Sequence, residues 1–200
     1  MPEPKAGGAG YDCRMLKAAY LAALIAVLAP SAATHPWTHQ RLAPYIATPD
    51  DVVDRMLLLA SVARGDVVYD LGCGDGRIPI AAAKKYGAKG VGLDIDPDRI
   101  KESWVNAKAA GVEKLVDFRE QDVLKADLSE ATVVTLYLLS SFNAQLRPIL
   151  TKQLRPGTRI VSHAFSMGPT WPADKIDRFT TSTGDETTLY LWKADGKVRP

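Results

Sequence analysis

Between residues 67 and 80 the chain reads V-V-Y-D-L-G-C-G-D-G-R-I-P-I. Val67-Val68-Tyr69 is an apolar run of the kind that forms a buried strand, and Asp70 ends it. Gly72, Gly74 and Gly76 follow at every second position, and an alanine-rich, helix-like run starts at once. Strand, glycine turn and helix in this order make a nucleotide-binding loop at the carboxyl end of a central parallel strand. Glycine permits the sharp turn and the close approach to a ligand. Asp70 narrows the chemistry further. An acid there repels a pyrophosphate and welcomes a ligand that carries positive charge.

The rest of the chain repeats the alternation. A second strand over residues 90–93 ends at Asp94, 18 residues after Gly76. An acid at that point hydrogen-bonds the ribose hydroxyls of an adenosine in this architecture. Asp96 caps the next helix, Pro97 starts it and Gly111 follows its end at Ala110. A third strand, 116–118, leads to Asp122, placed to accept from an adenine amino group, with Val123 against the ring. The fourth strand, 132–139, brings Tyr137 and Ser140 to the carboxyl edge, where ligands of such sheets bind. A helix is expected over 143–154, with Pro148 marking a start or kink, and a fifth strand, 158–162, runs into His163. Segments 176–180 and 187–192 flank Thr183-Gly184-Asp185 as an antiparallel hairpin. An adenosine ligand bearing an ammonium and a sulfonium, S-adenosyl-L-methionine, satisfies Asp70, Asp94 and Asp122 together.

Before the first strand, Thr48 as cap, Pro49 at the first helical position and Asp51 three residues after Thr48 predict a helix with an apolar face of Val52, Val53, Met56, Leu57 and Leu59-Ala60. Tyr45 is then a candidate pocket wall. Residues 35–60 read as an arm and capping helix, and 61–200 as the catalytic domain. Residues 1–34 read as a leader: Arg14 and Lys17 precede an apolar run at 18–29, closed by Pro30 and Ser31-Ala32-Ala33. Export with cleavage near Ala33, a retained anchor or targeting segment, and a packing helix all fit it. Residues 16–33 are accordingly a candidate for membrane association. The catalytic domain is expected on the side that holds the cofactor, or outside the cell if the leader is cleaved. The near balance of Lys and Arg (25) against Asp and Glu (23) gives no phosphate track, so no nucleic acid is expected. Cys13 and Cys73 suggest no disulfide framework, and no Cys/His cluster has metal-ligand spacing.

Asp70-Leu71-Gly72-Cys73-Gly74-Asp75-Gly76, Asp94 and Asp122 together resemble the cofactor motifs of class I S-adenosylmethionine-dependent methyltransferases. The resemblance implies an α/β, Rossmann-like fold of seven strands in the order three, two, one, four, five, seven, six. Helices cover both faces and the seventh strand is antiparallel. A closer resemblance covers about residues 45–171. It rests on Tyr45-Ile46-Ala47-Thr48-Pro49, residues 70–78, Thr135-Leu136-Tyr137-Leu138 and Val161-Ser162-His163-Ala164-Phe165. These look like the small membrane-associated protein-lysine methyltransferases that include the enzyme acting on the ATP synthase c-subunit. That family implies a protein substrate with an accessible lysine, including a membrane protein. The segment 137–140 lacks the Asn-Pro-Pro-Tyr motif of amide-nitrogen methyltransferases.

Methyl transfer to nitrogen asks the protein to hold donor and acceptor in line and to keep the amine neutral. Burial in an apolar slot lowers a lysine pKa. Tyr45, Tyr137, Phe165 and Trp171 are candidate walls of that slot, and Ser140 borders it. His163 is the candidate general base, with a hydrogen-bonded structural histidine as the alternative. Asp75 is a second candidate for contact with the amine, or a partner for Arg77. Small-molecule methylation and a non-catalytic adenosine-binding role are the competing functions.

Overall fold

In the computed structural model, Pro2 and residues 45–200 are described. The elements run α1 (Asp50–Leu59), β1 (Val67–Leu71), α2 (Arg77–Tyr86), β2 (Lys89–Asp94), α3 (Pro97–Ala110) and β3 (Val116–Glu120). A single 3-10 turn (Val123–Lys125) precedes β4 (Val133–Leu136), α4 (Ser140–Gln153), β5 (Arg159–His163), β6 (Lys175–Thr180) and β7 (Glu186–Lys193). The seven strands form one sheet in the order β3-β2-β1-β4-β5-β7-β6. Strands β1 to β5 pair in parallel, and β7 runs antiparallel to both β5 and β6. This is the class I methyltransferase sheet.

Side-chain alternation along the strands sorts the core into two layers. Tyr69, Leu71, Val134, Leu136, Ile160 and Trp192 face Leu146 and Leu150 of α4. Val68, Val133, Val161 and Leu189 face the other way, against Val52, Val53, Met56 and Leu57 of α1 and Ile78 and Ala82 of α2. The apolar stripe of α1 is thus buried as its spacing predicts. Arg55 ties the same helix to the terminal hairpin, bonding Asp177 and lying 4.3 Å from the Phe179 ring centroid.

Several local expectations change. Pairing with both neighbours continues through Leu71, so β1 includes Asp70 instead of ending there. β4 stops at Leu136 because Ser140 already begins α4. α4 passes straight through Pro148, whose missing N–H would have served the carbonyl of Ala144, an exposed residue. Thr48 does not cap α1. Pro49 stands at the cap position, no side-chain bond closes the helix, and the Thr48 carbonyl is taken by Arg77. The membrane expectations are corrected too. Among the described residues no helix is long and apolar enough to cross a membrane. Segment 16–33, on which membrane association rested, lies outside the described residues, as do His35, His39 and the arm up to residue 44. The membrane-associated localisation read from that segment, and the membrane protein that the family resemblance suggested as substrate, are withdrawn with it.

Candidate active site

The glycine turn sits at the carboxyl end of β1 and is held by its neighbours. The Gly72 and Cys73 amides both donate to the Leu93 carbonyl, at 2.8 and 3.0 Å. The Gly74 amide donates to Asp94 Oδ2 at 2.9 Å, and the other oxygen of Asp94 accepts from the Asp96 amide at 3.0 Å. From α3, Ser103 Oγ donates to the Gly74 carbonyl at 2.8 Å and Asn106 Nδ2 to the Asp75 carbonyl at 2.9 Å. Two glycines are needed where they stand. Gly74 has φ 55°, and a Cβ there would lie 2.3 Å from the Tyr45 ring. Gly76 has φ 79°, and its Cβ would meet Phe118 at 2.7 Å and Ser103 at 2.9 Å. Cys73 is buried behind the turn, and burial holds its thiol well above the usual range.

Asp70 lies beneath the turn, only 3% exposed. Parallel register sets Thr135 of β4 opposite it, and Thr135 Oγ1 donates to Asp70 Oδ1 at 2.7 Å. Burial pushes the Asp70 carboxyl up to about 7, and the nearby Asp94 and Asp75 add to the rise. A cation against this carboxyl would offset the burial and the two neighbouring acids and favour its ionised form. Asp122 caps the 3-10 turn through the Leu124 amide at 3.0 Å, and its other oxygen is 3.4 Å from Lys125 Nζ.

These residues line one cavity of about 160 Å³ (volume open to the centre of a water-sized sphere). Asp70, Gly72, Cys73 and Asp75 border it at β1 and the turn, Asp94 at the end of β2, Arg99 from α3, and Asp122 and Val123 in the turn after β3. Tyr137, Leu138 and Phe142 close the end nearest β4. Residues 45–48 form a further wall, with Tyr45 against Gly74 and the Arg99 guanidinium 4.8 Å from the Tyr45 ring centroid. Arg77 fastens this wall. Its guanidinium holds Asp75 through Nε (2.9 Å) and Nη2 (2.6 Å), and its Nη1 donates to the Thr48 carbonyl at 2.7 Å. Burial pulls the Asp75 carboxyl upward, yet the bonds and charge of Arg77 outweigh it and leave Asp75 below the usual carboxylate range. Asp75 is therefore committed to Arg77. Burial and the charge of Asp75 raise the Tyr45 phenol.

Tyr137 and Phe165 stack with centroids 6.2 Å apart, and His163 lies on the Tyr137 ring at 4.1 Å. His163 is 5% exposed and absent from the cavity wall. Its Nε2 meets Thr187 Oγ1 at 2.9 Å, its Nδ1 is buried without a hydrogen-bond partner, and burial drives its pKa down to about 4. Such an imidazole stays neutral near pH 7 and is too weak a base for an ammonium. Ser140 is exposed at the start of α4, outside the cavity wall. Trp171 is not a slot wall: it is 4% exposed in the core beside Trp192, whose indole N–H donates to the Trp171 carbonyl at 2.9 Å. Sequence reasoning missed Thr135, Ser103, Asn106 and Arg99. A polar Thr135 inside the apolar fourth strand was a usable signal; the other three needed the packing of α3.

Known proteins match this arrangement. The family described as the ANTKMT methyltransferase domain matches residues 70–175. A protein-lysine N-methyltransferase of Saccharolobus islandicus is 49% identical over 149 residues, spanning 74% of this chain and 92% of that protein. The ATP synthase c-subunit lysine N-methyltransferase of Xenopus laevis is 33% identical over 157 residues, 78% of this chain and 67% of that one. Among solved structures, an RNA methyltransferase from Salinibacter ruber in complex with S-adenosyl-L-homocysteine is 54% identical, with a TM-score of 0.72 over 77% of this chain and 97% of that one.

Proposed function

The chain belongs to the family of the ANTKMT methyltransferase domain, and from that premise we propose that it moves the methyl group of S-adenosylmethionine to the side-chain amine of a protein lysine. It is an S-adenosylmethionine-dependent methyltransferase. The lysine acceptor is carried by the identity to the Saccharolobus islandicus protein, nearly all of which this chain spans.

The cavity residues fit the cofactor. Asp70 offers a buried negative charge for the ammonium, and the turn Gly72–Gly76 offers backbone without side chains for the methionyl part. Asp94 serves the ribose hydroxyls, while Asp122 and Val123 serve the adenine. When bound, S-adenosylmethionine would supply an activated methyl carbon: a neutral amine would attack it in line, the N–C bond forming as the S–C bond breaks and S-adenosylhomocysteine leaves. Tyr137 stands where the cavity reaches β4 and orients that amine. Tyr45 and the Arg77–Asp75 pair hold the wall that excludes water. Desolvation lowers the lysine pKa so that the amine gives up its proton to water before it reacts, and His163, buried away from the cavity wall, is not its acceptor.

The description of the Salinibacter ruber protein raises RNA as the rival acceptor. Tritiated cofactor given to this chain with cellular protein and, separately, with total RNA decides between them. Label recovered in methyl-lysine after acid hydrolysis is the expected result. Label confined to RNA, or to small molecules, would reject the lysine acceptor.

A further inference from the structure

The loops that leave β4 and β5 carry no charge. Residues 137–146 and 164–173 contain no Asp, Glu, Lys or Arg. Exposed or half-buried among them are Tyr137, Leu139, Ser140, Ser141, Ala164 and Phe165. Leu139 is 40% exposed, large for a leucine at the rim of a cleft. The nearest charges along the sequence are turned away: Asp174 and Lys175 follow the second segment directly but lie beside Leu191 and Lys193, two or more residues along β7 from the Leu189 that faces His163. Arg147 is occupied by the Met167 and Pro200 carbonyls. Glu186 begins β7, whose Leu189 pairs with His163, so it lies three residues farther along the strand, about 10 Å away.

This uncharged corner is built. The Phe165 amide donates to the His163 carbonyl at 2.8 Å around Ala164, whose φ of 63° is a strained value for a residue with a Cβ. That tight turn folds Phe165 back onto Tyr137. The Phe165 carbonyl is then fixed by Ser162 Oγ at 2.6 Å and Asn143 Nδ2 at 3.1 Å.

Resting on the lysine reading above, we infer that the acceptor lysine sits among small and apolar residues, without charged neighbours in its own sequence. Two physical effects point the same way. A flanking Arg or Lys finds no carboxylate in segments 137–146 and 164–173 and is desolvated there without compensation. A flanking Asp or Glu stabilises the ammonium form of the lysine next to it and raises its pKa. The two segments supply no cation of their own to neutralise such an acid, and Arg147 beside them is held by the Met167 and Pro200 carbonyls. An uncharged flank avoids both penalties and packs its side chains on Leu139 and Phe165.

The test uses the full chain, tritiated S-adenosylmethionine and three peptides of equal length, each with one lysine. One is flanked by Ala, Ser and Leu, one by Asp and Glu, one by Arg. The uncharged peptide is expected to show kcat/KM about tenfold or more above both others, the scale on which unmatched charge discriminates. Leu139→Glu should then shift the preference about fivefold towards the Arg-flanked peptide with the affinity for S-adenosylhomocysteine unchanged. Equal rates on all three, or a preference of the natural chain for either charged peptide, overturn the inference while leaving lysine methylation standing. Binding of S-adenosylhomocysteine with no label in any lysine peptide removes the lysine acceptor and the inference together.

Discussion

The carboxyl edge of the sheet is divided. The segments after β1, β2 and β3 carry Asp75 and Arg77, then Asp96, Asp98, Arg99, Lys101 and Glu102, then Asp122, Lys125 and Asp127. The first ten residues after β4 and after β5, 137–146 and 164–173, carry none, and offer aromatic rings, hydroxyls and a strained turn instead. Both regions have the same scaffold beneath them, parallel strands at the same pleat, so the difference is chemical. A cofactor with fixed charges is matched by fixed charges and backbone amides. An acceptor that must lose its charge before it reacts is met by a surface that gives that charge no support.

This contrast can be broken by single substitutions. The largest effect is expected from Asp94→Ala, which removes a carboxylate and leaves the Gly74 amide without its acceptor. Affinity for S-adenosylhomocysteine should fall about 100-fold, since charge-assisted bonds contribute ~1.5–3 kcal/mol each. Calorimetric titration checks this, and an affinity within about threefold of the natural chain would remove Asp94 from the cofactor side.

Tyr137→Ala acts on the other side of the divide. Turnover should drop about 30-fold with S-adenosylhomocysteine affinity changed less than about threefold, because orientation of the amine is lost and cofactor contacts are not. If binding fell as far as turnover, the two regions would not be separable at Tyr137.

Asp70→Asn sharpens the comparison through pH. Burial raises the Asp70 carboxyl from 3.8 to about 7 in the free protein, so its protonated form is the favoured one. Stability from this group is full below the unfolded value and is lost as pH rises through about 7. A cationic ligand reverses the preference, since it binds the ionised carboxylate. Cofactor affinity should therefore weaken about tenfold as pH falls from about 7.5 to about 5.5. The asparagine variant should bind weakly and without that slope. A wild-type affinity that is flat over the same range would place the ammonium elsewhere.

The smallest effect belongs to His163→Gln. With its pKa lowered from 6.5 to about 4, the imidazole is neutral at working pH and its charge state takes no part in turnover. Rates should stay within about fivefold and the pH profile should keep its shape between about pH 6.5 and 8.5. The depressed pKa also costs the folded state stability as pH falls from 6.5 towards about 4, and thermal melts of the variant should show a shallower loss there. A lost inflection in the rate profile would reinstate His163 as the base.

The division of the rim was only half legible in the sequence. Gly72, Gly74, Gly76, Asp94 and Asp122 announce their places because backbone geometry and position at strand ends are encoded by spacing. The aromatic candidates carry no such address. Tyr137 and Trp171 look alike on paper, yet one borders the cavity and the other packs against Trp192. Thr135 stands out in the sequence as a polar residue in an apolar strand, but its partner Asp70 is known only from the register of β1 and β4, and Ser103 and Asn106 appear only when α3 is laid across the turn. The capping role expected of Thr48 failed for a related reason. Its carbonyl is held by Arg77 from across the fold, and a local pattern cannot show that competition.

The buried Asp70 has a consequence for the lifetime of the protein. A chain that keeps an acid out of water beside Asp94 and Asp75 is least stable when nothing positive lies against it. Ligand that binds only the folded form shifts the balance away from opened states, and protease attack follows the population of those states. The abundance of this enzyme in a cell should thus track the supply of S-adenosylmethionine, with molecules lacking methyl donor cleared sooner than those that hold it.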